Sequence, residues 1–163
     1  MSGRPVVDGW AAATAPPEGF EELGTCDLAG SAPFKTLVGK VPRAAFVARD
    51  RLVLVCEDEA YAVAHYQDCC EHVALIDVCG DPESLVGRPI VVAESVERRG
   101  RRDEGEPCPF AIPEDADDGS WTWQFVKIGT DLETLTIQFQ GNSNGYYNER
   151  AGLYRLEPPE RPS

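Results

Sequence analysis

The sequence predicts an α+β fold dominated by antiparallel strands, and three observations carry that reading. Short apolar runs with period-two alternation recur along the chain, as in Ala60–Tyr66 and Leu135–Gln140. Turn chemistry separates them, at Arg49-Asp50-Arg51, Gly129-Thr130-Asp131 and Gly141–Gly145. Two segments, Ala32–Gly39 and Asp81–Gly87, pair a proline near the first helical position with a glycine past the last, the signals of short helices. With 163 residues, 42% of them hydrophobic, the chain can build one domain around a real core.

Taken in order, residues 1–30 read as a flexible, Ala/Pro-rich arm, with Phe20 and Leu23 tacking one end to the body and Cys26 a bystander thiol. The globular domain spans 31–157. Its first helical turn leads into a strand at Val41–Ala48 and a buried strand at Leu52–Cys56, a turn at Glu57-Asp58-Glu59, and an alternating strand at Ala60–Tyr66. A polar loop, Gln67–His72, precedes a strand at Val73–Val78. Asp81 then caps the second helix, with Pro82 first inside it and Gly87 as the stop. A strand at Pro89–Val96 gives way to an acidic insertion near 98–119, rich in charge and proline and expected to be mobile. Strands at Trp121–Ile128, Leu135–Gln140 and Gly152–Leu156 complete the domain, and 158–163 form a Pro-rich tail.

An internal repeat organises this list. Leu37-Val38-Gly39-Lys40 and Leu85-Val86-Gly87-Arg88 are near copies, each preceded by a proline and followed by a strand, a hairpin, a polar loop and a closing strand. The expected architecture is therefore two helix-plus-strand units packed as one sheet-rich domain, with Gln67–His72 and Gly141–Glu149 as corresponding loops.

The formal net charge of -13 repels phosphate backbones and anionic lipid, which argues against direct nucleic-acid or membrane binding. It suits solubility, a basic protein partner, or mimicry of DNA's charge. The N-terminal stretch has no apolar signal core, and no run approaches the ~18 apolar residues of a membrane span. A cytoplasmic location follows as the expectation, and with it free thiols for the six cysteines.

The densest chemistry lies between His65 and Asp81. His65, Cys69, His72 and Cys79 are zinc-type ligands, but adjacent Cys69 and Cys70 lack the two-to-four-residue spacing of structural sites. Asp68, Glu71, Asp77 and Asp81 offer oxygens for a hard cation. A cysteine nucleophile could draw on a histidine or, for Cys79, on the helix begun at Asp81, against the opposing charge of the loop's carboxylates. A vicinal disulfide between Cys69 and Cys70 is expected to stay reduced in a cytosol. The structural alternative points one of the paired cysteines into the core, buries Cys56 and Cys79, and makes Asp68 and Asp81 acceptors for backbone N–H groups. Trp121 and Trp123 share one strand face and read as core.

Several motifs recur in a fixed order: Gln67-Asp68-Cys69-Cys70-Glu71, Asp77-Val78-Cys79-Gly80-Asp81, Leu85–Ile90, Trp121-Thr122-Trp123 and Ser143-Asn144-Gly145-Tyr146-Tyr147. Together they resemble a family of small uncharacterised domains found in bacteriophages, many infecting actinobacteria, over roughly Phe34 to Leu156. The resemblance implies a phage or prophage origin and an intracellular role, supplies no catalytic residues, and does not include a histidine at position 72. The expected function is a phage-type accessory protein, a non-catalytic binding module without a cofactor, for a host or phage protein or a small ligand. Its candidate contact residues are Asp68, Cys69, Cys70, Glu71, Asn144, Tyr146 and Tyr147. The competing expectations are a metal- or cysteine-dependent enzyme centred on Asp68–Glu71, and an acidic DNA-mimic decoy.

Overall fold

The computed structural model describes residues 6–7, 10–11, 13–57, 59–112 and 119–157. Asp58, the 113–118 part of the expected insertion, the 158–163 tail, and positions 1–5, 8–9 and 12 of the expected arm lie outside the described residues.

Strands β1 (Val6–Val7) and β2 (Trp10–Ala11) form a small ribbon. The rest are β3 (Leu28–Ala32), β4 (Ala44–Ala48), β5 (Arg51–Val55), β6 (Ala60–Ala64), β7 (His72–Cys79), β8 (Val92–Arg101), β9 (Ser120–Gly129), β10 (Thr134–Ser143) and β11 (Gly152–Leu156). They build two antiparallel sheets, one of five strands in the order β3-β11-β6-β5-β4 and one of four in the order β7-β10-β9-β8. The two sheets face each other across one core, where Leu52, Leu54, Tyr61 and Val63 meet Leu75, Val126, Ile137 and Phe139.

The expected helices are single 3-10 turns, Phe34–Leu37 and Pro82–Leu85, and no α-helix occurs among the described residues. The reason is local. Gly39 and Gly87 take left-handed φ values of 91° and 83° so soon after the initiating prolines that only one turn fits. Each turn still buries its leucine, Leu37 or Leu85.

The repeat survives as connectivity. The first unit runs turn, β4, β5, β6 in the five-stranded sheet, and its last strand, β7, crosses to the other sheet. The second runs turn, β8, β9, β10 in the four-stranded sheet, and β11 crosses back. The units also clasp each other reciprocally. Gly39 N–H donates to the Ile90 carbonyl at 2.8 Å, and Gly87 N–H to the Pro42 carbonyl at 2.8 Å. The shift that carries Gly39 onto Gly87 carries Pro42 onto Ile90. The bond that breaks the symmetry, Ile90 N–H to Lys40 carbonyl at 2.9 Å, has no mate because Pro42 lacks an N–H.

Three further segments differ from expectation. Part of the expected arm is built into the fold: β3 pairs with β11, Thr14 exchanges hydrogen bonds with Val47 of edge strand β4, and buried Arg51 donates to the Cys26 carbonyl at 2.7 Å. The cause is the outer face of the five-stranded sheet, where Phe46, Val53, Val55 and Ala62 are apolar and are covered by Phe20, Leu23 and Leu28. Residues 98–101 continue β8 rather than opening a loop. Trp121 and Trp123 lie outside the inter-sheet core, on the outer face of the four-stranded sheet under Phe110. Trp121 packs so closely on Gly100 of β8 that a Cβ there would sit 2.4 Å from the indole.

Candidate functional site

Strand exchange brings the two polar loops together. Because β7 pairs with β10 and β6 with β11, the β6–β7 crossover (65–71) and the β10–β11 crossover (144–151) leave the sheets side by side, with His72 opposite Asn142 and Ala64 opposite Gly152. A direct bond joins them: His65 Nδ1–H donates to the Arg150 carbonyl at 2.8 Å.

The β10–β11 crossover is anchored from beneath by a buried carboxylate. Ser120, Thr122 and Ser143 occupy inward positions at the ends of β9 and β10 and point their hydroxyls at Glu149. Thr122 Oγ1–H donates to Oε1 at 2.9 Å, and the Ser120 and Ser143 hydroxyls both donate to Oε2 at close range. The crossover approaches the sheet at Gly141, where a Cβ would lie 2.2 Å from the Glu149 carbonyl oxygen. Gln124 extends the anchoring, accepting from Ala151 N–H at 2.7 Å and donating to the Ala151 carbonyl at 2.9 Å.

Above this anchor the loop turns sharply. Ser143 Oγ accepts Gly145 N–H at 2.9 Å and Asn144 Oδ1 accepts Tyr146 N–H at 3.1 Å. Gly145 takes φ 103°, where any other residue would be strained, and its Cα faces the Arg101 guanidinium, which would stand 3.0 Å from a Cβ. Tyr146 is left 89% exposed at the tip. Between this loop and the β8–β9 end lies a cleft of about 570 Å³, lined among others by Arg99, Arg101, Glu106, Trp121, Tyr147 and Glu149. Its guanidiniums are already paired, Arg101 with Asp103 at 2.9 Å and Arg150 with Glu97 at 3.0 Å.

The β6–β7 crossover is built on a second buried carboxylate. Glu71 is 4% exposed, and it accepts Cys69 N–H at 2.8 Å, Asp68 N–H at 3.3 Å and the Gln67 amide at 2.9 Å. His65 Nε2 stands 3.3 Å from its Oε2. Burial alone would push this carboxyl up; the N–H groups of Cys69, Glu71 and Asp68, helped by the charge of His65, outweigh it and hold Glu71 below its ordinary value. The backbone-accepting role expected of Asp68 therefore belongs to Glu71. Asp81 keeps its expected one, accepting Glu83 N–H at 3.0 Å.

The cysteines depart from expectation. Cys69 and Cys70 are both exposed, and their sulfurs join as a vicinal disulfide instead of a reduced pair with one member in the core. The chain bends at these two residues, so their side chains do not diverge as they would on extended backbone. Cys56 is buried, and Cys79 is half-buried. Burial pushes the Cys26, Cys56 and Cys108 thiols up, away from nucleophilic character. Cys79 precedes a single 3-10 turn, which is too short to build a helix dipole.

The zinc-type set does not assemble. His72 and Cys79 are the two ends of β7, about 23 Å apart at strand rise. The His65 ring is bracketed by Arg150 and Glu71. Among the described residues no group of three or more His, Cys, Asp or Glu side chains is placed to hold a metal.

Of the residues singled out from sequence, His65 and Glu71 stand together beside the Arg150 end of the second crossover, whereas Asn144 and Gly145 lie against Gly119 and Arg101 at the β8–β9 end, and the lining of the cleft includes none of residues 65–71. Sequence reasoning missed Ser120 and Arg101 as site residues, and it named Thr122, Ser143 and Glu149 only within motifs or a loop, without their shared role. The available signal was small hydroxyl residues at inward positions of two apolar strands, which need a buried polar partner.

A family model described as a domain of unknown function, DUF7448, matches residues 35–152. No curated protein and no solved structure matches the chain. The match spans most of the chain, both crossovers included, and the chain belongs to this family.

Proposed function

We propose that this member of the DUF7448 family is a phage-type accessory protein of the cytoplasm, a non-catalytic binding module that receives a host or phage protein, or a small ligand, at the cleft beside the β10–β11 crossover. The phage assignment rests on the ordered motifs from Gln67 to Tyr147. The binding assignment rests on one observation: Tyr146 is 89% exposed on a loop whose base is pinned by a buried carboxylate. A rigidly presented aromatic is an inexpensive anchor, because little side-chain entropy is lost when a partner covers it. Both oxygens of Glu149 are already occupied by hydroxyls, and Glu71 is spent on backbone N–H groups. Both carboxylates are therefore better suited to shaping loops than to acid–base chemistry.

The test begins with full-length protein immobilised against an actinobacterial extract, with captured species identified, purified and titrated individually. Tyr146→Ala should weaken a genuine partner by about tenfold or more. Leu132→Ala, an exposed change at the opposite end of β10, should leave it unchanged. Equal binding by wild type and Tyr146→Ala would overturn the assignment. Turnover of a substrate that survives Tyr146→Ala but is lost in Glu149→Gln would favour an enzyme, and salt-sensitive capture of DNA-binding proteins alone would favour the decoy.

A further inference from the structure

The β6–β7 corner carries a chemical group that the cleft does not use. Cys69 and Cys70 are exposed and joined through sulfur, and the bend that brings them together is held by other atoms. Glu71 accepts the N–H groups of Asp68 and Cys69, while the Gln67 amide reaches the Cys69 carbonyl at 3.2 Å and the Glu71 carbonyl at 2.8 Å. None of these bonds uses a sulfur atom. A disulfide stabilises a fold chiefly by closing a loop of the unfolded chain, and a bond between sequence neighbours encloses none. A structural purpose for the bond is therefore missing, and exposed disulfides are the ones open to exchange.

We propose that Cys69–Cys70 is a reversible thiol–disulfide exchange site that takes a thiol reductant, with the Gln67–Glu71 frame keeping the two sulfurs adjacent in both states. A reductant thiolate attacks one sulfur, and the S–S electron pair leaves on the other, which takes a proton from water. A second reductant thiolate then attacks the reductant's own sulfur in the mixed disulfide. The remaining cysteine is released as a thiolate and protonated, and the reductant departs as its disulfide. Two electrons and two protons have passed to the protein. The site stands apart from the binding reading above and does not depend on it.

The test uses the full chain and glutathione as the probe. Unfolded in alkylating agent without reductant, the air-exposed protein should show its four other cysteines modified, and all six after reduction. Native protein equilibrated in graded glutathione buffers should give a two-electron curve confined to the 69–70 peptide, with far-UV circular dichroism and tryptophan fluorescence unchanged. Gln67→Ala, a change at an exposed side chain, and Glu71→Gln should each shift the midpoint toward the dithiol by about tenfold, the loss expected for removing a framing hydrogen bond. Cys79→Ser should not move it. Six reactive cysteines in every buffer would overturn the proposal, as would reduction that proceeds only in denaturant or unfolds the protein. A midpoint indifferent to Gln67→Ala would remove the frame from it.

Discussion

Glu149 holds three largely buried hydroxyl donors at the floor of the cleft, so its removal deprives Ser120, Thr122 and Ser143 of their shared acceptor together. Glu149→Ala should lower unfolding stability by about 3 kcal/mol, read from urea denaturation, because buried groups left without partners cost more than the bonds gained. Glu71 makes the complementary statement about pH. Its folded carboxyl titrates below the ordinary value near 4.5, so its contribution is complete above that value and is lost as pH falls through the folded one. Glu71→Gln should therefore flatten the acid limb of the stability curve below about pH 4.5, and an unchanged limb would refute this role. Tyr61 acts at the other extreme. Burial, then the hydrogen bond to Glu59, pushes its hydroxyl up to about 12. Its share of stability is intact below the ordinary tyrosine value of 10 and declines as pH rises toward the folded one, so Tyr61→Phe should blunt alkaline unfolding.

At the scale of elements, the reciprocal clasp sets an expectation that neither turn alone provides. Gly39 and Gly87 share positive φ, and a Cβ at either would meet nothing within 4 Å. Alanine at each should therefore cost only the backbone term, about 1 kcal/mol, and the two losses should be equal within error in urea titrations. A large difference would show the two turns to be unlike despite their matching bonds. Strand positions were legible in the sequence because alternation and turn residues are local: Gly152–Leu156 falls where it was read, and β5 and β6 within two residues. Helix length was not legible, since proline and glycine mark ends without fixing how many turns lie between them. The continuation of β8 through Arg98–Arg101 was hidden because an exposed edge strand carries charge, which reads as loop. In the site, the two crossovers were legible as turns, but Glu149 was not. One glutamate after a turn looks the same whether it faces water or three hydroxyls; only the pairing of β9 with β10 places those hydroxyls around it.

At the scale of the molecule, strand exchange decides how stability is shared. Each sheet is completed by a strand from the other half, β11 beside β6 and β7 beside β10, and the inward faces of both sheets form one core. Neither half can bury its apolar face or pair its last strand alone, although the repeat by itself suggests two independent units. Loss of one sheet also removes a strand and the facing side chains from the other, so partial unfolding exposes surface without retaining a stable remainder. The expected outcome is a single unfolding transition. Tryptophan fluorescence of a Trp10→Phe protein, which then reports Trp121 and Trp123 on the four-stranded sheet, should share a midpoint in urea with the alkylation of Cys56, which is buried at the end of β5 in the other sheet. Separated midpoints would show that the halves fold apart and that the exchanged strands couple them only weakly.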